Sequence, residues 1–360
     1  MTITTTTTIS APVNVDYQIE LLKRAQAVCP YFMGTLPASI SFNSGTFTAK
    51  WRRYEKFTAV TTPLAELTGS LAFPTRTPTT PTITDVTATV QKYGNFCFLN
   101  EEVELVQPNN VAMEISGALG ENAGQSLNRI QRNEMEDNST QIFGGSATTA
   151  TNVSGLAGVG FLTRTKISQA VNTLQRNNAR KFLPMTRGST NIGTAPVRES
   201  FYGITHPDTE EDIRLLTGFN AVETYAGQTE TMIGEIGHIG GVRWISTSEG
   251  TIDAGSGLSA TASATADGRS TSNRYDNYTT VVFGREAVGS LGFGASHVKE
   301  IYMENDNLPA VMMISHPKGS AGTADPLNEV ASVGWKSWHV PKILNSSWIR
   351  AVVHSASRLS

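Results

Sequence analysis

Charge is the first thing this 360-residue chain is short of. Asp, Glu, Lys and Arg make up 16% of it, against about 25% in an average soluble domain. Thr, Ser, Asn and Gly take their place. A surface thin in Lys and Glu is expected where other subunits cover much of it, because interface centres are depleted in charge. A β-rich adhesin shares the bias. A basic excess is missing too: the net charge of −3 and pI near 6.1 exclude a protein that coats nucleic acid with a basic face. Cysteine is scarce, and Cys29 and Cys97 lack the paired spacing of a disulfide scaffold or a zinc site. No apolar run approaches the roughly 18 residues of a membrane span. The N-terminal MTITTTTTISAPVNVDY has neither the basic nor the apolar region of a signal peptide. We therefore expect a cytosolic origin, with the sequons at Asn138, Asn152, Asn277 and Asn345 as chance matches.

Catalytic signatures are absent as well. There is no Walker-type loop, no H-E-x-x-H, no C-x-x-C and no G-x-S-x-G, and Gly292-Phe293-Gly294 stops short of a third glycine. His206, His238, His297, His316, His339 and His354 are scattered, none at ligand spacing from another His or Cys. Glu210-Glu211 reads as charge at a helix N-terminus. Trp51-Arg52-Arg53-Tyr54 could stack a base, but strand alternation explains it more economically. No catalytic, cofactor or metal residue is assigned, and the chain is not expected to be an enzyme.

What is present is one long helical stretch, about Asn109 to Phe143. Ile115, Leu119, Ala123, Leu127 and Ile130 recur at intervals of three and four and form one stripe. Asn109 or Asn110 can cap it, and Gln131, Arg132, Asn133 and Glu134 leave its far side polar. Some 30 residues would give a rod of roughly 45–50 Å. Gly117, Gly120 and Gly124 each cost about 1 kcal/mol relative to alanine, so a continuous or gently bent helix is expected in spite of them.

Upstream, residues 1–16 form a threonine-rich lead, and Asp16 to Val28 reads as a short amphipathic helix that either clasps a neighbour or docks on its own domain. Ser44 to Phe57 alternates as a strand, with Phe47, Trp51 and Arg53 on one face and Lys50, Arg52 and Tyr54 on the other. Thr82 to Phe98 reads as its partner, and the proline-studded stretch between them, Ala59 to Pro81, as an irregular tip. The product is a two-stranded ribbon of about 40 Å. An isolated hairpin is marginal in water, so it must lie on something. Its basic residues Lys50, Arg52, Arg53, Lys56 and Lys92 face an acidic set on the helix, Glu114, Glu121, Glu134 and Glu136. Opposite signs invite a ribbon-over-helix contact within or between chains, and these nine are the candidate inter-subunit contacts.

Downstream, Gly144 to Gly160 reads as a flexible small-residue loop and Thr165 to Lys181 as a second amphipathic helix ended by Pro184. Glu199 to Thr205 reads as a strand, followed by a helix capped by Asp208 or Thr209 and running through Leu216. Ile233 to Ser246 is a glycine-punctuated hairpin. Glu249 to Asn277, low in complexity, is expected as an exposed insertion. Val281 to Gly294, Lys299 to Met303 and Ala310 to Ser315 supply short strands, and Ala331 to Ala356 two more around Pro341 and Asn345. The class is α+β, without βαβα alternation or internal repeats.

This order, with Arg52-Arg53-Tyr54-Glu55, Thr61-Thr62-Pro63-Leu64, Gln91-Lys92-Tyr93-Gly94-Asn95-Phe96, Tyr202-Gly203-Ile204-Thr205-His206-Pro207-Asp208, the glycine-rich run Gly234 to Arg243 and Gly334-Trp335-Lys336, resembles tailed-phage major capsid proteins of the Hong Kong 97-type fold, in the short-tailed-phage coat subfamily. The phrases span about residues 50–340. The resemblance implies an N-terminal arm (1–43), an extended β-ribbon loop (44–99), a peripheral domain with a long spine helix (100–192), an axial domain (193–324, with a Ser/Thr/Gly-rich insertion at 247–280) and a return to the peripheral domain (325–360). It implies a homo-oligomer of pentamers and hexamers in an icosahedral shell, the ribbon lying across a neighbour. Scaffolding and portal proteins and a decoration protein would be partners, with double-stranded DNA enclosed without specific binding and no membrane. The place would be the virion capsid, assembled in the host cytoplasm. The competing reading is another virion structural protein, such as a tail, decoration or adhesin subunit.

Overall fold

The computed structural model describes residues 29–40, 45–63, 79–106, 111–156, 159–182, 199–224, 232, 234–260, 268–293, 311–320 and 325–357. The N-terminal lead and helix, the middle of the proline-rich tip and the strand expected at Lys299 to Met303 lie outside these residues. Strand β1 (Leu36–Ile40) precedes the ribbon strands β2 (Thr48–Tyr54) and β3 (Ile83–Thr89). Then come β4 (Gln91–Asn100), helix α1 (Glu101–Val106), the long helix α2 (Val111–Asp137) and β5 (Thr140–Phe143). The middle holds α3 (Arg164–Arg176), β6 (Phe201–Thr205), α4 (Glu210–Arg214), β7 (Asn220–Ala221), β8 (Glu235–Ile239), β9 (Val242–Ser246) and β10 (Ile252–Asp253). The chain closes with β11 (Ser270–Thr271), β12 (Arg274–Tyr275), β13 (Asn277–Phe283), β14 (Val288–Phe293), β15 (Val311–His316), β16 (Val330–Ile343) and β17 (Ile349–His354).

Two sheets organise these elements. In the first, β16 is central: β4 pairs along one flank, while β15 and then β14 follow along the other, with β1 parallel to β14. In the second, the order is β5-β17-β13-β6-β9-β8-β7, with β10 added to β13. The chain threads between them. Strands β14 and β15, from the stretch 193–324, lie in the first sheet, and β17, near the C-terminus, lies in the second.

Leu119, Ala123 and Leu127 seat α2 on Leu99, Val311, Met313, Val333 and Trp335 of the first sheet. The helix is continuous over 27 residues, about 40 Å, through all three glycines. Those glycines are buried, and the Gly124 carbonyl accepts from Cys29 Sγ at 3.4 Å where the chain before β1 lies against the helix. Gln131, expected on the polar far side, is buried instead, together with Asn128 and Glu136. The reason is that α2 also meets β13 and β17 of the second sheet, so more than one of its faces is covered. Helix α3 packs Ile167, Ala170, Val171 and Leu174 on the second sheet, each large side chain stabilising by about 1.5–3 kcal/mol. Its N-cap is Thr163, and it ends at Asn177 and the left-handed Asn178, well before Pro184. Helix α4 is shorter than expected. A 3₁₀ turn, Pro207–Thr209, precedes it, capped by the His206 ring, which accepts from Asp208 N, and Thr209 stands at the N-cap of α4 without a side-chain capping bond.

Three further expectations are corrected. The ribbon ladder is seven residues long, about 23 Å, because its second strand divides at the buried Val90. Beyond that point the chain pairs with β16. The stretch from Glu249 to Asn277 is only partly exposed in its described part: residues 252–254 and 270–274 are exposed, but Glu249, Ala260, Tyr275, Asp276 and Asn277 are buried, and β10 hydrogen-bonds to β13. Nor is the loop 144–160 loose. Leu258 N donates to Val153 O at 2.9 Å, Gly144 N to Val353 O at 2.8 Å, and Gly155 lies against the Tyr275 ring. Strand β16 runs straight through Pro341, which is tolerated because β4 stops opposite His339 and leaves that flank without a ladder.

His339 itself is fully buried, its ring centroid 5.4 Å from that of Phe32. Burial pushes its pKa down to about 4, from about 6.5 in an unfolded chain. A depressed histidine contributes stability that is complete above about pH 6.5 and is lost as pH falls towards 4. Comparing urea unfolding of the wild type with His339→Met should therefore show an extra wild-type loss of about 2–3 kcal/mol between pH 7 and pH 4.5. Parallel curves for the two proteins would disprove this.

Candidate assembly surfaces

The ribbon is held by its own residues. Ala49 and Trp51 turn inwards onto a small core of Ile40, Ala88, Val90, Leu291, Trp338 and Val340. On the opposite face Lys50 and Arg52 both grip Asp85, the Arg52 Nε donating at 3.0 Å. Hydrogen bonds from Arg52 and Lys50 hold the Asp85 carboxyl down to about pKa 2. Glu55 accepts from Thr84 at 2.7 Å and from Arg53 at 2.6 Å, which lowers its pKa. Arg53 also donates to the Leu344 carbonyl at 3.3 Å, tying the ribbon to the end of β16.

The nine charged candidates therefore separate. Lys50, Arg52 and Arg53 are engaged by ribbon acids and not by the helix, while Lys56 and Lys92 are exposed. Glu134 accepts from Lys342 Nζ at 3.0 Å and Ile343 N at 3.3 Å. Glu136 is buried beside Tyr31 and Arg132. Glu114 and Glu121 lie on the exposed side of α2. Charge does not bring the ribbon onto its own helix.

Apolar surface is where the structure adds most. By alternation, Tyr93 and Leu99 of β4 point at α2, so Phe96 and Phe98 stand on the other face of the first sheet. They are 65% and 66% exposed and meet edge to face, with centroids 5.2 Å apart. Beside them Gly94 and Gly334 lower the floor between Lys92, Ile314 and Lys336, opening a groove of about 540 Å³. A Cβ at Gly334 would stand 2.7 Å from that of Phe96. The ribbon, rooted on this same face, carries exposed Tyr54, Phe57, Val60 and Ile83 along and beyond its strands. Sequence reasoning did not single out Phe96 and Phe98 as an exposed apolar pair. The signal was there, two aromatics at i and i+2 on the face that Leu99 leaves.

Thr280 Oγ1 lies 2.8 Å from His354 Nε2, while His354 Nδ1 is 2.9 Å from the Ser355 carbonyl. This hydroxyl–imidazole pair is fully buried in the second sheet, and burial lowers the histidine pKa. It is a sealed structural bond. Among the described residues no group of three or more His, Cys, Asp or Glu is placed to hold a metal ion. No described helix is long and apolar enough to cross a membrane.

Comparison with known proteins follows the same line. The family model for "phage capsid protein" matches residues 83–353. Among solved structures, the capsid of Ralstonia phage GP4 superposes with a TM-score of 0.62 at 10% identity, covering 92% of this chain and 89% of that one. The head structure of Helicobacter pylori bacteriophage KHP40 gives 0.53 at 12% identity, covering 92% and 91%. The mature capsid of bacteriophage PhiM1 gives 0.51 at 10% identity, covering 89% and 86%. No curated protein matches. These likenesses carry the fold, and the family model carries the identity: the chain belongs to the phage capsid protein family and is a structural major capsid protein of the Hong Kong 97-type α+β fold.

Proposed function

We propose that this subunit closes into the pentamers and hexamers of an icosahedral shell around double-stranded DNA, with the ribbon of one copy lying across the outer face of a neighbour's first sheet. The observation that carries this is the presence on one subunit of two exposed apolar surfaces, Phe96 and Phe98 beside the glycine-floored groove and Tyr54 and Phe57 on the ribbon. Exposed patches of this kind mark interaction surfaces. The sheet beneath α2 serves as the peripheral domain. The second sheet serves as the axial domain, which meets its copies around the capsomer axis. Boundaries at 193 and 324 then mark visits of the chain and not separate folding units, since both stretches feed both sheets. The subunit works as a wall element and not as an enzyme. It assembles in the host cytoplasm with a scaffolding protein and a portal, and a decoration protein can add later.

Phe96→Ser with Phe98→Ser should leave the chain folded, because both rings are already exposed, and should raise the concentration needed for assembly at least about tenfold. Sedimentation and electron microscopy read this directly. Tyr54→Ser with Phe57→Ser should do the same. If the two surfaces touch, combining the changes gives less than the product of the separate effects. Normal shells from the Phe96/Phe98 variant would remove the groove from the interface.

A further inference from the structure

Strand β4 has an open edge. Among the described residues its one ladder partner is β16. Glu101 N, just past the strand, donates to Glu329 O at 2.9 Å on the β16 side. By alternation, the N–H and C=O groups of Lys92, Gly94, Phe96 and Phe98 point the other way. Phe96 N agrees, being held not by β16 but by Asn95 Oδ1 at 2.9 Å. Val90 N, in the same phase, donates to Phe47 O at 2.9 Å, so β2 occupies this edge as far as Phe47. There the chain leaves it: Gly45 is left-handed at φ +70°, and β1 pairs instead with β14. From Lys92 to Phe98 the edge that β2 covers along β3 has no second strand among the described residues. An edge of this kind, bearing two exposed phenylalanines, is a template for another strand.

We propose that residues 2–10 of the same chain, Thr-Ile-Thr-Thr-Thr-Thr-Thr-Ile-Ser, add to this edge as a further strand and guard it against pairing with stray chains. Outside the described residues, the lead is the one place with nine or more consecutive residues free of proline, glycine and charge. Threonine and isoleucine are β-branched and favour strands. Nine residues span about 30 Å, against about 33 Å for the ten of β4. Ile3 and Ile9 share a face, so antiparallel pairing that sets Ile3 beside Phe98 sets Ile9 beside Lys92, and their face extends the apolar surface of Phe96 and Phe98. The tether reaches. Cys29 lies in the same core as Leu99 of β4, and residues 11–28, with the helix expected over 16–28, span up to about 35 Å. A segment tethered this closely meets its own edge at a high effective concentration.

Thr5→Pro with Thr6→Pro tests this without altering the two sheets. Adjacent prolines cover both phases of the strand, so one of them removes a donor facing β4. Hydrogen exchange read residue by residue on the dilute full-length subunit should show the Gly94 and Phe98 amides exchanging at least about tenfold faster in the variant. The Cys97 amide, which faces β16, should be unchanged. Isotope-labelled variant mixed with excess unlabelled wild type should stay unprotected at Gly94 and Phe98. Equal exchange of these two amides in wild type and variant would overturn the proposal, as would a matching rise at Cys97. Protection restored by the added wild type would overturn it too, by placing the strand on a neighbouring copy.

Discussion

Gly160→Ala is expected to destabilise the chain by about 4 kcal/mol, more than an ordinary overpacking change. A Cβ there would overlap the Ser154 carbonyl group. Both colliding parties are main chain, so no rotamer change relieves the clash. The neighbourhood offers no slack: a Cβ at Gly144 would stand 2.5 Å from Gly160 O, and that same oxygen accepts from Ser355 N at 3.0 Å. Opening the loop would pull on the C-terminal end of the second sheet, where Phe161 bridges Ser355. Gly45→Ala is the control. Nothing lies within 4 Å of it, and only its φ of +70° opposes a side chain, which costs about 1–2 kcal/mol. Urea unfolding of the two variants should separate them clearly. A loss below about 1 kcal/mol for Gly160→Ala would show that the loop can yield.

Arg243→Met should cost about 3–5 kcal/mol. Arg243 and Glu235 face each other across the β8–β9 hairpin with side chains 2% and 0% exposed. Arg243 Nε donates to Glu235 Oε1 at 2.6 Å and Nη2 to the other oxygen, which also accepts from Met232 N at 3.0 Å. Taking away the guanidinium strands a carboxylate inside the protein. Adding Glu235→Leu should recover most of the loss, since a buried ion pair replaced by apolar groups is often neutral. Strictly additive costs for the two single changes would mean that the pair is not coupled as its geometry requires.

The sequence carries its apolar periodicity well and its polar burial poorly. The stripe Ile167, Ala170, Val171, Leu174 predicted helix α3, and Leu119, Ala123, Leu127 predicted which side of α2 meets a sheet, because those patterns depend only on local geometry. The division of the ribbon strand at Val90 also left a trace. Buried or half-buried positions run Val86, Ala88, Val90 and then change parity to Tyr93, Cys97 and Leu99, as happens when a strand changes partner. By contrast, Gln131, Glu136, Asn277 and His354 look like surface residues in one dimension. Their burial depends on partners from 70 to more than 100 residues away, such as Tyr31 for Glu136 and Thr280 for His354. The low-complexity run after Glu249 misled for the same reason. Its small polar side chains, such as Asp276 accepting from Gly255 N at 2.7 Å, fasten backbone at close quarters, which composition alone does not reveal. The ribbon's cations were legible in the sequence, but their partners were not, since Asp85 and Glu55 inside the ribbon engage Lys50, Arg52 and Arg53.

The placing of β16 and β17 bears on how the protein is made. Each lies in the interior of its sheet, β16 between β4 and the β14–β15 flank and β17 between β5 and β13, yet both come from the last stretch of the chain. A ribosome that has delivered everything up to residue 329 has therefore completed neither sheet. The partners of β16 on β4 have waited for more than 200 residues, and such distant pairings are slow to form. A chain ending before residue 330 lacks the strand that joins β4, β14 and β15, and Val333 and Trp335 are missing from the seat of α2.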